Sequence, residues 1–382
     1  MLRTDDLDYD LPQDRIATVA AEPRDAARLM VLPRDGEACE LATMADLPRF
    51  LRAGDLLVFN ATRVMPARLL GKKPSGGKVE GLYLSPGPRE GPARTWIAML
   101  GASHLHVGTE VELFEPGGEP SGVRLRLLRR DVTESTAWVV EVVGGEQAES
   151  DLTILERCGL TPLPPYIRKA REKQGIAVAD EMDRERYQTV YAHADETRIG
   201  SCGGSVAAPT AGLHFTERLL ARLDAQGVGR AEVTLHVGTG TFKSVETEFV
   251  EQHPMHEEWC TMSAEAVGMV LETRKRGGRV IAVGTTAART LESYAAVVGD
   301  GAGAVPGSIS TRILITPGYG WRWVDGMVTN FHLPRSTLMA MVASRLDGEG
   351  GDGLKRLKDA YVRALTEGFR FYSYGDGMLI VP

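Results

Sequence analysis

Two histidines, His214 and His332, stand just ahead of helix-like segments, each in an apolar or small-residue run. His214 follows Gly203-Gly-Ser-Val-Ala-Ala-Pro-Thr-Ala-Gly-Leu, and Phe215-Thr216 leads into the helix pattern; His332 lies within Asn330-Phe-His-Leu-Pro334. Burial and a helix N-terminus both depress an imidazole pKa, leaving a neutral ring able to accept a proton. The alternative for each is a hydrogen-bonded core histidine. His236, inside the strand-like Val233–Val237, reads instead as structural or as a brace for the site. Small residues before His214, Gly212 included, let a ligand approach the backbone closely, and free N–H groups of a first helical turn suit an anion.

A third junction, Val283-Gly-Thr-Thr-Ala-Ala-Arg289, has the same strand, polar turn, helix order. In open α/β sheets ligands collect where strands end and helix N-termini point inward. If the three junctions share one edge, Thr210, His214, Thr285, Thr286, Arg289, Asn330, His332 and Ser336 meet in one cleft. The bland reading is that these hydroxyls merely cap helices.

The elements that must position them are mixed. Glu217–Gln226 carries Leu219, Leu220 and Leu223 at helical spacing, with Thr216 as N-cap and Gly227 as stop. Asp55–Phe59, Glu232–Val237, Arg279–Val283 and Met327–Phe331 are strand-like; Glu265–Arg276, Ala287–Val298 and Ser336–Leu346 are helix-like. This alternation predicts an open sheet with helices on both faces. Between about Leu70 and Gly145 the chain changes to short segments, Val79–Leu84, Thr95–Leu100, Glu110–Phe114, Val123–Leu128 and Thr136–Val143, separated by turn-rich pieces. In Val123–Leu127 the odd positions are apolar, while Arg124 and Arg126 point the other way. Five or six such strands predict a small antiparallel β-barrel inserted into the α/β fold.

With 382 residues and a net charge of −7, indiscriminate nucleic-acid binding is disfavoured. Local basic runs remain: Arg63, Arg68, Lys72, Lys73 and Lys78; then Arg168, Lys169, Arg171 and Lys173; then Arg274, Lys275 and Arg276. Each is either a solvated face or a phosphate grip. The four cysteines are scattered, suggesting neither a disulfide framework nor a thiolate metal site. No apolar run is long enough to span a bilayer and the N-terminus has no apolar leader segment, so no membrane partner and a cytoplasmic location are expected.

His253-Pro-Met-His256 brings further imidazoles, and a zinc hydrolase must be weighed. Without His-Glu-x-x-His or paired Cys-x-x-Cys, no metal is expected. In Phe59-Asn-Ala-Thr-Arg-Val64, Asn60 can read a base or ribose edge and Arg63 can pair with a carboxylate or phosphate; the alternative is a turn residue and a surface ion pair. Tyr9, Asp10, Tyr374 and Asp376 can stack on or hydrogen-bond a base, or simply pack and turn.

The run ending at Thr216, together with Leu160-Thr-Pro-Leu-Pro-Pro-Tyr-Ile167, Tyr187-Gln-Thr-Val-Tyr191, Leu235-His-Val-Gly238, Gly278–Ser293 and Asn330–Pro334, closely resembles the S-adenosylmethionine:tRNA ribosyltransferase-isomerases of queuosine biosynthesis. The likeness extends from Asp8-Tyr-Asp-Leu-Pro12 to Tyr374-Gly-Asp376; one departure is Ala61, where the family pattern has an acidic residue. It implies a discontinuous α/β domain, residues 1–69 and 148–382, interrupted by a barrel at 70–147. It also implies transfer and isomerisation of the ribosyl group of S-adenosylmethionine onto the 7-aminomethyl-7-deazaguanine at the tRNA wobble position, giving epoxyqueuosine, adenine and methionine. S-adenosylmethionine is then a substrate, with no other cofactor. The tRNA anticodon stem-loop is the macromolecular partner, and a monomer is expected. His214 and His332 become candidate base and partner. Asn60, Arg63, Thr210, Gly212, Thr285, Thr286, Arg289, Asn330, Tyr374 and Asp376 become candidate substrate-binding residues. A metal-dependent hydrolase and a non-catalytic RNA-binding module are the rivals; stoichiometric zinc would favour the first, and tRNA binding without S-adenosylmethionine turnover the second.

Overall fold

The computed structural model describes residues 1–34, 38–88, 93–132, 136–145, 149–192, 204–236, 245–299, 304–348 and 350–382. Cys202, Gly203, Val237, Gly238 and residues 300–303 of the glycine-rich segment lie outside the described residues.

The chain lays down β1 (Arg28–Pro33), β2 (Glu40–Thr43) and β3 (Leu56–Asn60), then leaves the sheet. It builds β4 (Arg68–Lys72), β5 (Lys78–Pro86), β6 (Thr95–Gly101), β7 (Glu110–Phe114), β8 (Pro120–Arg130) and β9 (Ala137–Gly144). After helix α1 (Asp151–Cys158) come β10 (Gly159–Leu160), α2 (Pro165–Gln174), α3 (Asp180–Arg186) and α4 (Glu217–Ala225). The sheet resumes with β11 (Gly229–Leu235), β12 (Glu258–Met262), α5 (Ala264–Lys275), β13 (Val280–Val283) and α6 (Thr285–Val298). The chain ends with β14 (Ile309–Thr311), β15 (Gly326–Asn330), α7 (Thr337–Leu346), α8 (Gly353–Thr366) and β16 (Gly377–Val381).

Among the described residues nine strands form the mixed sheet, in the order β14-β12-β11-β3-β13-β15-β16-β1-β2. The four central strands β11, β3, β13 and β15 run parallel, while β16 is antiparallel to β15. β3 and β13 are buried at every position, as their unbroken apolar sequences require for strands covered on both faces. Alternation sorts the cover. Val58, Ala282 and Met327 pack with α5 to α8, whereas Leu57, Phe59, Ile281 and Val328 pack with Leu219, Leu220 and Leu223 of α4. Helices thus cover both faces of an open mixed sheet, as expected. The Thr216 hydroxyl accepts from the Leu219 N–H at 3.1 Å, so α4 starts at its expected cap.

β3 and β11 are neighbours in the sheet, yet the whole barrel lies between them in sequence. Its strands run β4-β5-β6-β9-β8-β7, and β7 closes back on β4 through Gly71 opposite Leu113. Val123, Leu125 and Leu127 of β8 point inward with Trp96 and Tyr83; Arg124 and Arg126 point outward and pair with Glu110. Ile154 and Leu155 of α1 join the same core. β4, which begins in the first basic run, adds a sixth strand to the five segments read from the alternating pattern.

Candidate functional site

The parallel strands end together. Asn60 closes β3, Leu235 closes β11, Val283 precedes the turn into α6, and Asn330 closes β15. Gly284 makes that turn at φ +91°, a left-handed conformation open to glycine. The short 3₁₀ turn Thr210–His214 packs on the end of β15. A cavity of about 60 Å³ lies where these pieces meet, lined by Thr210, Thr285, Thr286, Asn330 and His332. Five of the expected residues therefore share one space, drawn from all three junctions.

His214 lies behind that wall. It is 4% exposed and its Nε2 is 3.2 Å from Asn330 Nδ2. The same Asn330 amide donates to the Tyr372 carbonyl at 3.2 Å, and its Oδ1 accepts from Thr210 Oγ1 at 2.9 Å. Burial, with Arg370 and Arg24 adding positive charge, pulls the His214 pKa down to about 4. His332 is in the cavity wall, its Nε2 2.8 Å from Thr329 Oγ1. Burial lowers it to about 4 as well. With pKa values near 4 both rings are neutral at physiological pH.

Tyr9 and Tyr361 hold the His332 backbone from two sides. The Tyr9 hydroxyl donates to its carbonyl at 2.6 Å, and the Tyr361 hydroxyl accepts from its N–H at 2.9 Å. Tyr166, Tyr372 and Ser373 also line the cavity, and sequence reasoning missed them. Tyr166 Oη and Ser373 Oγ are 2.6 Å apart. Tyr372 has φ +72°, uncommon for a residue with a side chain. Tyr166 lies in the Leu160–Ile167 motif, which was the one signal for it.

The remaining residues take other places. The Asn60 amide is fully engaged: Nδ2 donates to the Leu235 carbonyl at 3.1 Å and to Thr286 Oγ1 at 3.2 Å, and Oδ1 accepts from the N–H groups of Leu235 and Thr62. It ties three elements together at the edge of the cleft. Gly212 is required sterically, because a Cβ there would sit 1.8 Å from the Tyr191 hydroxyl. Ser336 caps α7, accepting from the Met339 N–H at 3.2 Å. Tyr374 is buried, its hydroxyl 3.4 Å from Asp183, which Arg171 grips through two bonds. Asp376 accepts from the backbone N–H groups of Arg28 and Arg370, fastening β1 to the turn before β16. Arg289 lines a neighbouring cavity with His253 and His256.

Arg63 faces a larger cleft of about 810 Å³ with Ala61, Thr62 and His236, beside the ends of β3 and β11. This volume is in the range of small-ligand pockets. Burial lowers the His236 pKa. Several basic-run residues are already engaged: Arg68 and Arg168 both pair with Glu80, Arg171 is buried with Asp183, and Arg63 meets Glu156 at 3.4 Å. Lys169, Lys173 and Lys275 are exposed. Among the described residues no group of three or more His, Cys, Asp or Glu side chains is arranged to hold a metal ion, and no helix is long and apolar enough to cross a membrane.

A family model described as Queuosine biosynthesis protein matches residues 4–380. An S-adenosylmethionine:tRNA ribosyltransferase-isomerase from an Anaeromyxobacter species is 45% identical over 380 residues, spanning 99% of each chain. One from Gloeobacter violaceus is 46% identical over 383 residues, spanning 99% of this chain and 96% of its own. The crystal structure of S-adenosylmethionine tRNA ribosyltransferase from Thermotoga maritima matches 98% of this chain and 100% of that one, with TM-score 0.50 and 29% identity. With the family model and the relatives both matching nearly end to end, the chain belongs to the queuosine biosynthesis family of S-adenosylmethionine:tRNA ribosyltransferase-isomerases.

Proposed function

We propose that this protein transfers and isomerises the ribosyl group of S-adenosylmethionine onto the aminomethyl nitrogen of 7-aminomethyl-7-deazaguanine at the tRNA wobble position. The product is epoxyqueuosine, with adenine and methionine released. The observation that carries this reading is the cavity where neutral His332 meets Thr210, Thr285, Thr286 and Asn330 at the carboxyl edge of the sheet. A sulfonium acidifies the neighbouring ribose C5′ hydrogens, so a neutral base suffices to take one. His332 is that base and the threonine hydroxyls orient the ribose. Adenine leaves carrying a proton, the amine attacks, and methionine departs as the epoxide closes. One amine hydrogen is lost for the new C–N bond, and the net reaction releases one proton.

A cavity of about 60 Å³ is far smaller than S-adenosylmethionine, since pockets that take such ligands run to several hundred Å³. Donor entry therefore requires its walls to open, and the larger cleft beside Asn60 offers the room a flipped base needs. The exposed lysines of α2 and α5, together with exposed Lys72 and Lys78 of the first basic run, are cations that can meet phosphates. The test is incubation with S-adenosylmethionine and an anticodon stem-loop carrying the aminomethyl-deazaguanine. Adenine release matched by the RNA mass gain of an epoxycyclopentanediol is expected. Unchanged RNA without adenine, from folded protein, would sink the reading.

A further inference from the structure

We propose that Arg289 anchors the methionyl carboxylate of the donor, gripping it side-on through Nε and Nη2; the proposal rests on S-adenosylmethionine as the substrate. Arg289 is 4% exposed, in the second turn of α6. Its Nη1 pairs with the Glu258 carboxylate of β12, which is itself buried. Nε and Nη2 are buried and have no hydrogen-bond partner among the described residues. These two nitrogens share one edge of the planar guanidinium, the edge that meets both oxygens of a carboxylate at once. Buried donors are rarely left unpaired, and Glu258 holds this fork in one orientation with its second edge open.

Arg289 and Glu258 line a cavity of about 30 Å³ with His253, His256, Ile313, Thr337 and Leu338. Thr337 and Leu338 are the first two residues of α7, so the positive end of that helix faces the same space and offsets the charge of Glu258 against an incoming anion. Leu338 also lines the His332 cavity, making it a common wall of the two spaces. A donor lying across that wall has its ribose at His332 and its amino-acid end at Arg289. A carboxylate ends a chain and can enter a confined, partly apolar space. An internal RNA phosphodiester, flanked by ribose on both sides, cannot.

The test is calorimetric titration of the whole protein with S-adenosylmethionine and with its decarboxylated analogue, which lacks only the carboxylate. The wild type is expected to bind the analogue about 50-fold more weakly, as for loss of a charge-assisted bidentate pair. Because Arg289→Gln alone leaves Glu258 without its cation, the paired change Arg289→Gln with Glu258→Gln is used, and it is expected to bind both ligands alike. Equal binding by the wild type, binding of neither ligand, or discrimination that survives in the paired variant overturns the proposal. Adenine release on adding the stem-loop is read separately: carboxylate-dependent binding with no adenine keeps the anchor and removes the ribosyl-transfer reading.

Discussion

Asn330 fixes the proton on His214. Its amide Nδ2 faces the Tyr372 carbonyl, which can only accept, and the same nitrogen lies 3.2 Å from His214 Nε2. Turning the amide over would set Oδ1 against the Tyr372 carbonyl oxygen, two acceptors face to face, whereas the Thr210 hydroxyl can meet either end of the amide. Nε2 must therefore be the acceptor and the proton of the neutral ring sits on Nδ1. Protonating Nε2 would set two donors against each other, an obstacle that acts beside burial to keep the ring neutral.

Asn330→Asp tests this directly. A carboxylate oxygen facing Nε2 favours the imidazolium, so the His214 pKa is expected to climb from about 4 to above its ordinary 6.5. Ring-proton resonances followed against pH would show it. Adenine release should fall, because a carboxylate at this position sets an acceptor against the Tyr372 carbonyl in the cavity wall. A His214 titration unmoved from its low value would refute the assignment.

The two histidines are expected to fail differently. His332 borders the cavity, so His332→Gln should lower the rate constant for adenine release about 10²- to 10⁴-fold with the folded state intact. His214 lies behind Asn330, so His214→Gln should act mainly through disorder of that amide, with a smaller rate effect and a lower melting temperature. Single-turnover rates and thermal melts on both variants separate the roles. Equal rate losses with unchanged melting would assign the chemistry to both rings.

The junction residues were legible because each stands where an apolar strand run gives way to a polar turn and a helix, and a parallel sheet gathers such turns on one edge. Roles were harder to read than places. Asn60 has the composition of a ligand-reading amide, yet every one of its bonds goes to β11, α6 or its own loop. Arg171 looks like a solvated cation in a basic run, but one face of α2 turns it inward onto Asp183. Tyr166 and Ser373 are 207 positions apart, and only the fold brings them to 2.6 Å. Tyr374 and Asp376 stood out by type, while their neighbours Tyr372 and Ser373 line the cavity; the left-handed φ that turns the chain at Tyr372 has no local sequence signature.

Gly212 tests whether the turn before His214 is held by contact with the Tyr187–Tyr191 motif. A Cβ at Gly212 would meet the Tyr191 hydroxyl at 1.8 Å and Thr189 Cγ2 at 2.9 Å. The Tyr191 ring is packed on Phe59 with centroids 4.6 Å apart, which limits its retreat. Gly212→Ala is expected to destabilise by about 1–3 kcal/mol through overpacking. Tyr191→Phe removes the closest atom and should recover part of that loss in the double variant, measured as a shift in urea midpoint. Additive effects of the two changes would show that the turn and the motif do not bear on each other.

The two depressed histidines also predict acid sensitivity of the fold. In the unfolded chain each imidazole titrates near 6.5; in the folded chain both titrate near 4. Between those values the unfolded state binds a proton at each ring that the native state refuses, so stability falls as pH is lowered through that window. The slope is about 1.4 kcal/mol per pH unit for each histidine, on top of whatever the carboxylates contribute. Above pH 6.5 neither state is protonated, and below 4 both are, so the loss is confined to the interval. Urea unfolding at pH 7, 6 and 5 should show this decline for the wild type, and His332→Gln should be less steep by about one histidine's share. Parallel curves for the two proteins would mean that His332 is not kept neutral by the fold, and the base assigned to the cavity would have to be sought elsewhere.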